Sequence, residues 1–175
     1  KNTTFVATDG HPLVRYKRTD VKSDNGNAII IPRKALNLLK ATLPAENTEV
    51  SLNFNMSNAF FRFGNIRMIC RLIDERFPDY ENVIPSGNNI RMSISRTDLL
   101  GALKRISIYA NKTTHQVRLK ITGSELQISA EDLDFSNEAN ERLSCDHEGE
   151  DIEIGFNAKF LVEMLTNMDS EQIKL

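Results

Sequence analysis

Three times along this chain a short run of β-forming residues meets a break and then an amphipathic helical pattern of about ten to fifteen residues. The first copy is Ala28-Ile29-Ile30-Ile31, then Pro32, then a helical pattern from Arg33 to Leu43. Pro32 is expected at the first helical position, where its missing N–H costs nothing. The second copy is Arg91-Met92-Ser93-Ile94, then Ser95, then Arg96 to about Asn111, with Ser95 and Asp98 spaced like a capping box. The third is Ile152 to Phe156, then Asn157 as a cap, then Ala158 to Met168. Leu36, Leu99 and Leu161 take matching places in the three copies. Their spacing, roughly 62 to 63 residues, is far longer than that of solenoid repeats.

Alternating segments lie between the helices. Val50, Leu52 and Phe54 form one; Val117, Leu119 and Ile121 form another; Leu126 and Ile128 follow a Gly123-Ser124 turn, which predicts a hairpin. Each copy reads as strand, helix and a meander of about three strands. That order predicts an α+β fold, with helices on one face of antiparallel sheets. The Pro85-Ser86-Gly87-Asn88-Asn89 stretch reads as a linker, so the expected domains are residues 1–85 and 86–175.

The helical faces repeat a charge pattern. Leu36, Leu39 and Leu43 make a stripe opposite Arg33, Asn37 and Lys40. In the second helix Leu99, Leu103, Ile106 and Ala110 form the stripe, with Lys104, Arg105 and Lys112 off it. In the third, Leu161, Met164, Leu165 and Met168 are expected inward, with Lys159 and Glu163 outward. Basic residues thus recur on solvent faces of a chain whose net charge is −2, from 22 basic and 24 acidic residues. A protein that grips DNA through phosphate neutralisation is usually strongly basic. Any contact with nucleic acid here has to use a localised surface or a loose hold.

Catalytic patterns are weak. Asp9, His11 and Cys70 name the residue types of a Cys-His-Asp set, but no nucleophile context surrounds Cys70. No phosphate-binding glycine loop occurs. Glu131, Asp132 and Asp134 lack the spacing of a calcium loop and read as a solvated hairpin tip. Cys70 and Cys145 have no metal-ligand spacing and read as reduced cytosolic thiols, with Cys70 in a strand. No apolar run approaches the ~20 residues of a membrane span. No cofactor is expected.

Two segments are more specific. Phe5-Val6-Ala7-Thr8-Asp9-Gly10-His11-Pro12-Leu13 is a strand entering a tight turn, and Arg71 to Tyr80, continuing to Val83-Ile84-Pro85, leaves a strand for a proline-punctuated connection. With the Ile-Ile-Ile-Pro-Arg-Lys helix start between them, and Ile154-Gly155-Phe156-Asn157 near the end, they resemble the bacterial sliding clamps, the beta subunits of DNA polymerase III. The resemblance covers essentially the whole chain. It implies a DNA clamp fold of repeated βαβββ units, in which each subunit has three similar domains and a homodimer closes a ring. On that pattern residues 1–85 are the C-terminal half of the second domain and residues 86–175 most of the third. A first domain and the extreme C-terminus are then expected to be lacking.

The resemblance also implies roles. A closed ring stays on double-stranded DNA by topology and slides, so modest cationic charge on lining helices suffices. Arg33, Lys34, Lys40, Lys104 and Arg105 are the expected DNA-facing residues. Clamps dock short linear peptides from polymerase III subunits, the clamp loader and other clamp-binding-motif proteins, in a pocket between the second and third domains. Carried over by motif, Thr8, Gly10, His11, Pro12 and Leu13 form one wall, and Pro78, Asn82 and Val83 another. Pro12 departs from the family, which usually has arginine there, and puts a charge contact at that position in question. Ile108 and Tyr109 fall where clamps pair with the neighbouring subunit. The expected place of action is the cytoplasm, with no membrane partner. Two other readings remain open at this point: an interaction scaffold of the same repeated unit without DNA, and a hydrolase using His11 and Cys70.

Overall fold

The computed structural model describes residues 2–22 and 26–175. The chain divides into two compact units, Lys1–Ile84 and Pro85–Leu175.

Unit 1 opens with an antiparallel hairpin, β1 (Asn2–Thr8) and β2 (Leu13–Lys22). Then come helix α1 (Arg33–Thr42) and a meander of β3 (Ser51–Phe54), β4 (Asn58–Phe63) and β5 (Ile66–Arg71). The turns of the meander follow from their residues. Asn55 Oδ1 accepts from the N–H groups of Ser57 and Asn58, at 2.9 and 2.8 Å, and Gly64 takes a φ of +53° between β4 and β5. On the central strand β4, Ala59, Phe61 and Phe63 alternate into the buried side. A 3-10 turn at Tyr80–Val83 closes the unit.

Unit 2 contains two strand-to-helix passages that pack on one another. Strand β6 (Arg91–Ser95) runs into α2 (Arg96–Ile106), a 3-10 turn at Ser107–Tyr109, β7 (Gln116–Thr122), β8 (Glu125–Asp132), β9 (Asn137–Ser144) and β10 (Asp146–Glu148). Strand β11 (Ile152–Asn157) runs into α3 (Ala158–Thr166), and β12 (Gln172–Lys174) returns to pair with β6. The sheets are antiparallel, ordered β11-β7-β8-β9 and β10-β6-β12. Each helix is capped by the last residue of its strand: Ser95 Oγ accepts from the Asp98 N–H at 3.4 Å, and Asn157 Oδ1 from the Lys159 N–H at 3.0 Å. Helices α2 and α3 pack together, and Leu99, Ala102, Leu103, Ile106, Leu161 and Leu165 share one core with the apolar faces of β6, β7 and β8. Arg96, on the first turn of α2, donates from Nε to Ser170 O at 2.9 Å and from Nη1 to Leu165 O at 3.2 Å. It thereby ties the start of α2 to a carbonyl of the last turn of α3 and to one in the segment that follows it.

Several local expectations change. Ala28 to Ile31 form no strand; among the described residues the run accepts one backbone hydrogen bond, from the Ile73 N–H to Ile30 O at 3.0 Å. A β-forming run without a neighbouring strand to pair with does not become a sheet. Pro32 is the N-cap of α1 rather than its first residue, and its carbonyl accepts from the N–H groups of both Ala35 and Leu36. The helix ends at Ile106 in α2 rather than near Asn111, the chain tightening into the 3-10 turn. Leu99, Leu103, Ile106 and Ala110 are buried, as are Leu161 and Leu165, but Met164 and Met168 are open to solvent. Helix α1 buries no residue at all, and Leu36 is 42% exposed where its counterpart Leu99 is 1%. Among its described residues unit 1 has no second α-helix to cover that stripe.

The contrast sets up a paired stability test. Leu99→Ala should cost about 2–5 kcal/mol, the usual cost of emptying a packed leucine site. Leu36→Ala in this chain should cost clearly less, about 1–1.5 kcal/mol, because 42% of its surface stays in water on folding. Urea unfolding of the two variants measures both; similar losses would contradict the exposure of α1.

Candidate functional site: a hairpin face, a 3-10 turn and cationic helix ends

The register of the first hairpin decides which side chains act together. Thr8 pairs with Leu13, Val6 with Arg15, Ala7 with Val14 and Phe5 with Tyr16. Directly opposed residues share a face. Thr8, Leu13, Val6 and Arg15 therefore lie on one side, and Ala7, Val14, Phe5 and Tyr16 on the other, where the two rings sit 6.4 Å apart. The turn between the strands is held by its own side chains. Thr8 Oγ1 donates to Pro12 O at 2.9 Å and accepts from the Gly10 N–H at 3.2 Å; Asp9 Oδ1 accepts from the His11 N–H at 3.2 Å. Gly10 has a φ of +95°, which residues with a Cβ rarely adopt. Thr8 has its single proton committed to the turn, so toward any ligand it offers its methyl group and a lone pair.

The second segment is tied in the same economical way. The Phe77 and Tyr80 rings meet edge to face at 6.4 Å, and Asn82 Nδ2 donates to Asp79 Oδ2 at 2.8 Å. Asn82 therefore shapes the turn, while Val83 is 67% exposed. One contact that the sequence did not reveal joins the two segments. Arg15 Nη1 lies 3.1 Å from Glu81 Oε2 and 3.3 Å from Oε1. This ion pair connects the strand that begins at Leu13 to the turn that carries Asn82 and Val83. A partner 66 positions away leaves no local signal.

Cationic residues collect near helix ends. Arg33, Lys34 and Lys40 are exposed on α1. Arg33 and Lys34 occupy its first turn, which contains no acidic residue, although the helix dipole disfavours positive charge there by about 0.3–1 kcal/mol each. Lys104 is exposed on the last turn of α2 and makes no ion pair among the described residues. Arg105, expected beside it as a DNA-facing residue, is also exposed and pairs with Glu141 of β9. Its Nε and Nη2 meet the two Glu141 carboxylate oxygens at 3.1 and 2.5 Å, a bidentate match of fork and carboxylate. A depression of about 300 Å³ is lined by Lys104, Ser107, His115, Lys159 and Glu163, which adds Lys159 of α3 to the cations of this surface.

Ile108 and Tyr109 lie on the 3-10 turn after α2, not on the helix itself, and are 64% and 42% exposed. That turn packs on β8 and β9. Strand β9 ends its sheet, and its outer edge is unpaired among the described residues. An unpaired strand edge and exposed apolar side chains are each features that can take part in an interaction surface. The polar run from Asn137 to Ser144 hid that strand from hydrophobic patterning. Among the described residues, no group of three or more His, Cys, Asp or Glu side chains is arranged to hold a metal, at Glu131–Asp134 or elsewhere. Asp132 is instead buried and accepts from the Asp134 N–H at 3.1 Å. Burial, with the Asp146 charge, pushes the Cys145 thiol up, away from the thiolate form. Cys70 lies on β5, half-buried.

Residues 1–79 match the family model of the DNA polymerase III beta subunit, central domain, and residues 81–175 that of the DNA polymerase III beta subunit, C-terminal domain. The chain is 32% identical over 171 residues to the beta sliding clamp of Pseudomonas putida, covering 97% of this chain and 46% of that one. The clamp of Proteus mirabilis is likewise 32% identical over 172 residues. Among solved structures, the DNA polymerase sliding clamp of Pseudomonas aeruginosa superposes with a TM-score of 0.88 at 30% identity, over 97% of this chain and 47% of that one. The sliding clamp of Bartonella birtlesii does so with 0.90 at 31% identity, over 99% and 50%. The chain thus spans about half the length of the curated relatives it matches.

The Arg105–Glu141 pair makes a pH-dependent contribution. Hydrogen bonds from Arg105 lower the Glu141 carboxyl from its ordinary value, against partial desolvation that raises it, and the guanidinium charge adds to the lowering. A depressed carboxyl stabilises the fold above its unfolded value of about 4.3 and loses that contribution as pH falls through the folded value. Urea midpoints between pH 7 and pH 3 should fall more steeply for this protein than for its Glu141→Gln variant; parallel curves would remove the pair from the account.

Proposed function

The chain belongs to the DNA polymerase III beta subunit family, and from that premise we propose that it serves as part of a sliding clamp. In this reading the full-length subunit encircles duplex DNA as a homodimer in the cytoplasm. It tethers the replicative polymerase and other replication and repair proteins, and makes or breaks no bonds itself. Residues 1–85 supply the C-terminal half of the second clamp domain and residues 86–175 most of the third. The observation that supports the reading best is the pair of adjacent family-model matches spanning both units, on a fold that superposes with known clamps at TM-scores of 0.87 to 0.90.

The mechanism follows from where charge lies. The chain is slightly acidic overall, yet Arg33, Lys34, Lys40, Lys104 and Arg105, with Lys159 besides, are exposed on helices. Within one Debye length, about 8 Å at physiological salt, such cations attract a duplex. They hold it without the many fixed phosphate contacts that would stop it sliding. The positive first turn of α1, which opposes its own dipole, is what a lining surface would require and what helix stability alone would not select.

Peptide docking is assigned to Thr8, Gly10, His11, Pro12, Leu13, Pro78, Asn82 and Val83. Leu13 and the Thr8 methyl group provide apolar surface on one hairpin face, and the Pro78–Val83 connection is tied toward that face through Glu81. An apolar anchor side chain of a linear peptide is the matching ligand. Homodimer contact is assigned to Ile108 and Tyr109 with the free edge of β9.

Two measurements test this. The full-length protein, loaded on nicked circular duplex, should remain bound and be released on linearisation. Retention that survives linearisation, or no retention on the circle, would favour a scaffold without encirclement. In this chain Leu13→Asp should weaken binding of a replicase clamp-binding peptide at least about a hundredfold, since an unpaired carboxylate facing an apolar anchor costs several kcal/mol. Unchanged affinity would sink the pocket assignment.

A further inference from the structure

We propose that Arg15 is a positioning residue for the peptide pocket, which through its ion pair with Glu81 holds the 3-10 turn Tyr80–Val83 on the hairpin face that presents Thr8 and Leu13. The inference rests on the peptide-docking reading of that site and assigns a role to two residues outside the set named for it.

Strand periodicity is the first support. Arg15 follows Leu13 by two positions on β2, so both point to the same side, roughly 7 Å apart along the strand. The cross-strand partners Thr8 and Val6 occupy that side as well. An acidic group bound to Arg15 is therefore brought over this face and not over the Phe5–Tyr16 face. Glu81 is that group, at 3.1 and 3.3 Å. Its immediate neighbours in sequence are Tyr80 and Asn82, and Val83 follows.

The turn itself supplies the second support. It is four residues long, buries none of them and exposes 67% of Val83. A single 3-10 turn has little intrinsic stability, and its internal ties, Asn82 to Asp79 and Tyr80 to Phe77, set its shape but not its place against the hairpin. A bond to a residue 66 positions earlier sets that place. Both side chains remain well exposed, at 44% and 60%, so the pair adjusts the pocket without deciding whether the unit folds. Arg15 touches no ligand in this role; it acts through Glu81.

Fluorescence anisotropy with a labelled replicase clamp-binding peptide tests the assignment on the whole chain. Arg15→Gln and Glu81→Gln should each raise Kd about two- to fivefold, the range open to an exposed pair. The double Gln variant should be no worse than either single one. The exchanged variant, Arg15→Glu with Glu81→Arg, should return Kd to within about twofold of the parent, and the single-variant effects should shrink in 0.5 M salt, with a Debye length of about 4 Å. Thermal midpoints should stay unchanged throughout, which separates positioning from a general loss of fold. An effect of Arg15→Gln without one of Glu81→Gln would make Arg15 a direct peptide contact and overturn the proposal, as would singles that bind normally or an exchange that fails to restore. Leu13→Asp is run alongside. If it leaves binding intact, the pocket reading fails and this proposal with it; if it abolishes binding while the Arg15 and Glu81 variants bind normally, only the positioning role fails.

Discussion

An amphipathic helix is stable in water only when its apolar stripe is covered, and in unit 2 that constraint organises everything else. Strands β6 and β11 each end in a capping side chain and pass directly into a helix, so the two helices start at defined points on their sheets. Those starting points let α2 and α3 face each other and bury Leu99, Leu103, Leu161 and Leu165 in one core. Arg96 completes the arrangement: it begins one helix and bonds to the end of the other, coupling two passages that lie some 70 residues apart. With the interior fixed this way, cations at the helix ends and the edge of β9 are left outside, where the proposed functions need them.

Unit 1 shows the same pattern with the covering element absent from its described residues. Its sheet buries Ala59, Phe61 and Phe63, and its turns are correctly built, yet α1 leaves Leu36 and Leu38 substantially exposed. The sequence repeat predicted equivalent stripes because the pattern of leucines is equivalent. Pattern records which residues want cover, not whether a neighbour is there to provide it. The same reason explains Ala28 to Ile31, whose composition suits a strand and which accepts one backbone hydrogen bond among the described residues.

What could be read from the residues was local. Capping by Ser95 and Asn157, the Gly123 turn, the alternation along β7 and β8, and the leucine stripe of α2 are all decided within a few positions, and each was legible. The Thr8-to-Leu13 turn was recognisable for the same reason, and its bonds turn out to lie within the motif itself. Pairings between distant residues were not legible. Arg105 has the spacing of a solvent-facing helix residue, and only the register of β9 puts Glu141 beneath it. Arg15 and Glu81 belong to different motifs, and neither motif names its partner. Candidate sites that depend on one turn could thus be listed from sequence, while the contacts that hold them in place required the fold.

The charge distribution allows a further step. For a protein to stay on a polymer without being stopped by it, each contact must be weak and interchangeable, which argues against bidentate, buried or paired cations on the lining surface. Arg105 is bidentate to Glu141, while Lys104 is a flexible point charge with no ion pair among the described residues, so on this argument Lys104 suits the proposed lining role better. Arg118 is similarly bound to the acidic side chains Glu131 and Glu153 on the sheet. In helix α1, Arg33 and Lys34 sit where the helix dipole opposes them, a small cost that a nearby anion would offset. Among the described residues Arg33, Lys34, Lys40 and Lys104 make no ion pair, while Arg118 and Arg142 on the sheet are each paired with glutamates. In the sliding-clamp reading proposed above, unpaired and interchangeable cations of this kind are what would let a slightly acidic protein attract DNA without gripping it.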